Sequence, residues 1–298
     1  MRAWILSLVF AAFATATQAA PPPRAIFTDP PADAAHPARS EVLHIPSGGV
    51  EINGLAYIAA GAGAHPTVVL FHGLPGNEKN LELAQAVRRA GWNVVTVNYR
   101  GSWGSPGKFS FKGNVDDARA VLAWLRRPEV AAKLHVDPRR LVIGGHSMGG
   151  WVTAVTGGSD PDIAGAFLIA AADMARTSKA PREERLAIAR NNMETLAGVT
   201  AEDMAEQMTG LGDLSFAAAA PGLAKHRLLV LTCDDGLKPQ ADALVIDVKR
   251  RGGKVAVVHV ATDHSWNTAR VRLATEVIEW LGELSQTAPK VEELGPPS

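Results

Sequence analysis

Residues 141–155 read LVIGGHSMGGWVTAV: an apolar run, a serine set among glycines, and the start of a helical pattern. Gly145 stands two residues before Ser147 and Gly149 two residues after it. A strand that turns at once into a helix crowds its central residue, so glycine is favoured at the neighbours that would collide. The same turn lifts the central side chain above the sheet in a strained conformation. The first N–H groups of a helix lack partners of their own, so Ser147 is expected beside unpaired donors. Donors placed there can hold negative charge that develops on a bound oxygen.

Apolar runs and amphipathic stretches alternate on both sides of this corner. EVLHIP and EINGLAYIA, joined by SGG, predict an antiparallel pair. TVVLFHG (67–73), NVVTVNYRG (93–101), RLVIGGH, IAGAFLIAA (163–171), RLLVLTC (227–233) and KVAVVHVA (254–261) read as further strands. Helical spacing falls in EKNLELAQAVRRAGW, VDDARAVLAWLRR (115–127), SMGGWVTAVTGG, PQADALVIDVKRRG and WNTARVRLATEVIEWLGEL. Such alternation predicts an α/β fold, a mostly parallel eight-stranded sheet with helices on both faces. Ligands of such sheets sit at the carboxyl ends of the strands. Residues 173–224 contain no strand pattern and are expected to form a helical cap insertion. Within it RLAIARNNMETLA and TAEDMAEQMTGL read as helices, with Thr200 and Asp203 as a capping pair.

A serine hydroxyl is a poor nucleophile until a base takes its proton. The base and its orienting carboxylate should come from other strand ends. CDDGLKP (233–239) and TDHSWN (262–267) follow the last two strand runs, in the order serine, aspartate, histidine. His264 is the candidate base, being in a loop, whereas His259 lies inside a strand. Asp235 is favoured over Asp234 as the acid, and Asp263 is expected to shape the loop. Met148 N–H and Leu74 N–H are the expected oxyanion donors, the latter from FHGLPGNEKN (71–80). His72 is read as a structural histidine, and Arg100 as half of an ion pair with Asp116 or Asp117. Trp103, Trp151, Met174 and Trp266 are candidate pocket residues.

GHSMGG, FHGLPGNEKN, the aspartate of CDDGLKP and the histidine of TDHSWN together resemble the α/β-hydrolase superfamily over about residues 40–285. GWNVVTVNYRGSWGSPGKFSF (91–111) is similar to the serine aminopeptidase and acylaminoacyl-peptidase-like branch, which also contains esterases. In that family the acid often stands four residues before a proline, as Asp235 stands before Pro239. The resemblance implies a serine hydrolase that cleaves carboxylic esters through an acyl-enzyme. No room is seen for the N-terminal propeller of prolyl oligopeptidase relatives, which puts esterase activity ahead of peptidase activity. An aminopeptidase or amidase would need a carboxylate to hold an amino terminus, with Glu183, Glu184 and Glu194 as candidates. A non-catalytic binding protein on the same scaffold is the reading from a different class. Ser147 argues against dehalogenases and epoxide hydrolases, which carry aspartate at the elbow.

Bulk properties narrow the class further. Lysine plus arginine equals aspartate plus glutamate, at 30 each, and no basic face stands out, so nucleic acid is not an expected partner. GLPGN lacks the Gly-Lys-Ser/Thr ending of a phosphate loop. Clusters with metal-ligand spacing are missing, so neither metal nor other cofactor is expected. A small-molecule ester or amide is the expected partner. Cys233 is the single cysteine, which excludes an internal disulfide and a CxxC site. Residues 1–20 have the layout of a secretory signal, with cleavage expected near Ala19 or Ala20 and no stable membrane insertion afterwards. Export without a disulfide suggests the periplasm or secretion from a bacterium. Residues 21–40 read as a flexible leader and 287–298 as a frayed tail, leaving 41–286 for the domain.

Overall fold

The computed structural model describes residues 21–287. The signal-peptide reading of 1–20 and nearly all of the expected tail lie outside the described residues. β1 (Arg39–Ser47) and β2 (Val50–Ile58) form the expected hairpin, paired from Arg39↔Ile58 to Ser47↔Val50. There follow β3 (His65–Phe71), α1 (Leu81–Arg89), β4 (Asn93–Val97), α2 (Phe111–Leu125) and α3 (Pro128–Leu134). β5 (Val136–His146), α4 (Met148–Ser159) and β6 (Gly165–Ile169) come next. α5 (Arg182–Arg190), α6 (Ala201–Thr209) and α7 (Phe216–Leu223) separate β6 from β7 (Arg227–Thr232). The chain closes with α8 (Lys238–Arg250), β8 (Lys254–His259) and α9 (Arg270–Thr287). Among the described residues the strands form one eight-stranded sheet in the order β1-β2-β4-β3-β5-β6-β7-β8. β2 meets β4 antiparallel, and every pairing from β4 to β8 is parallel.

Side chains that alternate along a central strand feed two cores. Val69 and Phe71 of β3 join Val115, Trp151, Leu223 and Val248 on one face, which α2, α4, α7 and α8 cover. Val68 and Leu70 join Leu83, Val87, Leu273 and Val277 on the other, under α1 and α9. This double burial explains why the central strands read as continuous apolar runs. Among the described residues no helix is long and apolar enough to cross a membrane.

The structure departs from several expectations. α2 starts at Phe111 rather than 115, because Ser110 caps it by accepting the Gly113 N–H at 3.3 Å. α9 starts at Arg270 rather than Trp266, whose φ of +60° does not fit a helix. Two carbonyls of residues 21–40, those of Ala25 and Ile26, accept from the Arg89 guanidinium at 2.6 and 2.7 Å. Within 173–224, the Thr200–Asp203 box closes in both directions, at 3.0 and 3.1 Å. α7 packs on α4 so closely that a Cβ at Gly222 would stand 1.9 Å from the Gly158 carbonyl oxygen. α7 is thus the crossover helix that two parallel strands require. Arg100 pairs with Asp117, not Asp116, at 2.6 Å, and Asp117 also accepts from the Arg100 N–H and Ser47 Oγ.

Two histidines at strand ends are buried, His72 after β3 and His146 at the end of β5. Burial pushes both down to about 4; a hydrogen bond to Gly73 opposes this at His72, while nearby His264 adds to it at His146. Their unfolded counterparts protonate near the ordinary value of about 6.5. Between these limits the unfolded chain binds more protons, so stability rises with pH and is lost as pH falls from 6.5 toward 4. Urea unfolding should lose about 1–3 kcal/mol per pH unit across that window, and a flat profile would contradict the burial account. Gly222→Ala should cost about 1–3 kcal/mol by overpacking α7 on α4; an unchanged urea midpoint would show that the helices can part freely.

Candidate active site

The elbow is built by contact. Ser147 has φ +57° and ψ −122° between β5 and α4. A Cβ at Gly145 would lie 2.2 Å from the Gly149 carbonyl oxygen, and one at Gly149 would lie 2.1 Å from that of Phe71. Neither residue can carry a side chain while α4 stays this close to the end of β3. Gly150 is restricted too, since its Cβ would meet Ala171 at 2.4 Å. Met148 is the first residue of α4, so its N–H has no intrahelical acceptor. Leu74 N–H makes no hydrogen bond among the described residues. Both residues line the same cavity as Ser147.

The loop after β8 reaches the elbow through main-chain ties. His264 Nδ1 donates to Asp235 Oδ2 at 2.7 Å. Asp235 Oδ1 accepts the Leu237 N–H at 2.9 Å. Burial alone would raise the Asp235 carboxyl, but the hydrogen bonds from His264, Leu237 and Cys233 outweigh it and hold it below the usual carboxylate value. Asp234 turns outward and meets His259 Nε2 at 3.2 Å. Asp263 accepts from the N–H and side chain of Asn267, as a loop-shaping residue would. No hydrogen bond joins Ser147 Oγ to His264 among the described residues; such contacts often tighten only around substrate.

His146 is a site residue that sequence reasoning missed. Its Nε2–H donates to the His264 carbonyl at 2.8 Å, and the two rings lie 4.6 Å apart. It therefore ties the histidine loop directly to the residue before Ser147. The signal in sequence was only that the variable position of G-x-S is a histidine. Arg270 supports the same loop from α9, donating to Ser265 O at 2.8 Å and to Asn80 Oδ1 at 2.9 Å. His72 faces Gly73 O at 2.8 Å and stacks at a tilt on Tyr99.

A cavity of about 570 Å³ opens over Ser147, lined by Leu74, Met148, Met174, Ile188 and Leu237 among others. Of the four expected pocket residues, Met174 lines it. Trp151 does not: it is fully buried under α4 and donates Nε1–H to Leu214 O at 2.5 Å. Trp266 does not either: it is fully buried in the core beneath α9. Trp103 lies outside the lining and donates Nε1–H to Pro75 O at 2.8 Å. Glu184 lines the cavity, whereas Glu194 accepts from Asn77 at 2.8 Å. Among the described residues no group of three or more His, Cys, Asp or Glu side chains is arranged to hold a metal ion.

Comparison with known proteins agrees with this architecture. An uncharacterized protein of Mycobacterium tuberculosis is 32% identical over 121 residues, covering 40% of this chain and 41% of that protein. The match thus spans about two fifths of that relative's length. The carboxylesterase EstE1, cloned from a metagenomic library, superposes with a TM-score of 0.63 at 22% identity, covering 84% of this chain and 90% of its own. A puromycin-hydrolyzing peptidase of Mycobacterium tuberculosis gives 0.62 at 19% identity, over 84% of this chain and 39% of its own. At these identities the two structures speak for the fold. The sequence pattern of the alpha/beta hydrolase fold matches residues 75–266, well over half of the chain. The chain belongs to the alpha/beta hydrolase fold family.

Proposed function

We propose that this protein is a serine hydrolase of carboxylic esters. The observation that carries the reading is the Asp235–His264 pair, held at the mouth of an elbow that presents Ser147 to a cavity. In this mechanism Ser147 Oγ attacks the acyl carbonyl while His264 Nε2 takes its proton. Asp235 accepts the Nδ1–H, fixes the tautomer and stabilises the imidazolium. The carbonyl oxygen becomes an oxyanion between the N–H groups of Met148 and Leu74. As the tetrahedral intermediate collapses, His264 returns the proton to the leaving alcohol and an acyl-enzyme remains. Water, deprotonated by the same histidine, attacks the acyl carbon and releases the acid, and the proton passes back to Ser147.

The cavity size of about 570 Å³ suits a ligand of small or medium size. Export through residues 1–20, with hydrolysis in the periplasm or outside the cell, belongs to the same reading. One observation favours a second reading, an aminopeptidase or amidase: Glu184 lines the cavity and could meet an amino terminus. An amide nitrogen is the worse leaving group and demands firmer protonation by His264.

A paired assay of p-nitrophenyl acyl esters and aminoacyl p-nitroanilides separates these readings. Ester turnover should dominate, and Ser147→Ala should lower kcat by about 10⁴-fold or more with folding intact. Undiminished turnover in Ser147→Ala would overturn the mechanism. Anilide turnover equal to or above ester turnover, with Glu184→Gln raising KM for the anilides alone, would establish the second reading.

A further inference from the structure

The peptide that follows the expected oxyanion donor is held from two sides. Pro75 O accepts Trp103 Nε1–H at 2.8 Å and Thr195 Oγ1–H at 2.8 Å. Trp103 belongs to the loop between β4 and α2, and Thr195 to the cap segment between α5 and α6. A carbonyl oxygen has two lone pairs, and both are used here. Two acceptor bonds from separate segments fix the plane of the Pro75–Gly76 peptide. On the other side of Leu74, Gly73 is pressed against the elbow, since a Cβ there would lie 3.0 Å from Ser147 Cβ. Leu74 is thus clamped between the nucleophile and a doubly bonded carbonyl.

The two donors are themselves joined. Trp103 N–H donates to Thr195 O at 3.0 Å, Ala197 N–H to Gly101 O at 2.8 Å, and Ser102 bridges Leu196 antiparallel. Trp103 has φ +50°, so its backbone is held in an unfavourable region while the indole reaches Pro75. Gly76 makes room for that reach, because a Cβ there would stand 2.8 Å from Trp103 Nε1. Lys79 Nζ sits 4.0 Å above the Trp103 ring centroid and donates to Asn98 Oδ1 at 3.0 Å. Neither Trp103 nor Thr195 lines the cavity over Ser147. A strained residue, a required glycine and a paired acceptor converge on one carbonyl that touches no ligand space.

We infer that Trp103 and Thr195 are positioning residues for the Leu74 N–H, and that through Thr195 the cap sets the rate of acyl chemistry. The inference rests on the reading of Leu74 as an oxyanion donor. Binding surface for the substrate is unaffected by either residue, so their loss acts on kcat and leaves KM nearly alone. Misplacing a preorganised donor by a fraction of an ångström weakens it most in the transition state.

The test compares Thr195→Val and Trp103→Phe, which remove one donor each; the first keeps the side chain's shape and the second keeps an aromatic ring. Ester kinetics, the affinity of an alkyl boronic acid and thermal unfolding are measured on each, with Thr195→Ser as the conservative variant and Ser147→Ala as the blank. Each donor deletion is expected to lower kcat about 10- to 100-fold, with KM within about twofold, and to weaken the boronic acid in proportion. Thr195→Ser restores the hydroxyl and should recover most of the rate. If both deletions keep kcat within twofold of the parent while Ser147→Ala abolishes turnover, the positioning role is wrong and the mechanism stands. The role is equally wrong if KM rises with kcat unchanged, or if only the unfolding temperature falls. Turnover that survives Ser147→Ala removes the mechanism and this inference together.

Discussion

Everything in the site depends on the close approach of α4 to the carboxyl end of β3. Gly149 lies where any Cβ would stand 2.1 Å from the Phe71 carbonyl oxygen, and Gly145 lies under Gly149 in the same way. This contact leaves Ser147 no regular conformation, and its φ of +57° is the result. The positive φ is unfavourable for a residue with a side chain and persists only because the surroundings over-determine it. Two central strands buried on both faces supply that constraint, since neither can move without opening a core. Stability in the sheet is converted into a fixed direction for one hydroxyl.

Main-chain ties hold the loop that carries His264, the proposed base. His146 grips the carbonyl of His264, and Arg270 grips the carbonyl of Ser265. Asp235 is nearly buried, while the His264 side chain stays about two fifths exposed. The carboxylate is thus sheltered and the ring is open to solvent, which fits the proposed roles of an acid that orients and a base that reacts. Burial of His146 keeps its ring neutral near pH 7, so it adds no positive charge beside His264.

The central strands were legible in the sequence because burial on both faces makes them unbroken apolar runs. The elbow was legible because steric crowding demands glycine at fixed offsets from Ser147. Other features were hidden for physical reasons. α7 reads FAAAAPGL, and Pro221 and Gly222 look like breakers; packing against Gly158 of α4 overrides that local signal. Asp234 and Asp235 differ by one position in the bent loop after β7, and only the path of that loop decides which one faces His264. Trp151 and Trp266 lie near the correct strand ends, but the backbone aims both indoles into cores. His146 pairs with a main-chain carbonyl 118 residues away, which leaves no residue-type signature.

In the proposed chemistry Ser147 is activated through His264 and Asp235, with Asp234 outside it. Labelling of Ser147 by a fluorophosphonate, followed by mass spectrometry, measures that activation without choosing a substrate. Asp235→Asn should slow the labelling by about 10³- to 10⁴-fold, while Asp234→Asn stays within a few-fold of the parent. Equal rates for the two variants, or an adduct on a residue other than Ser147, would contradict the account.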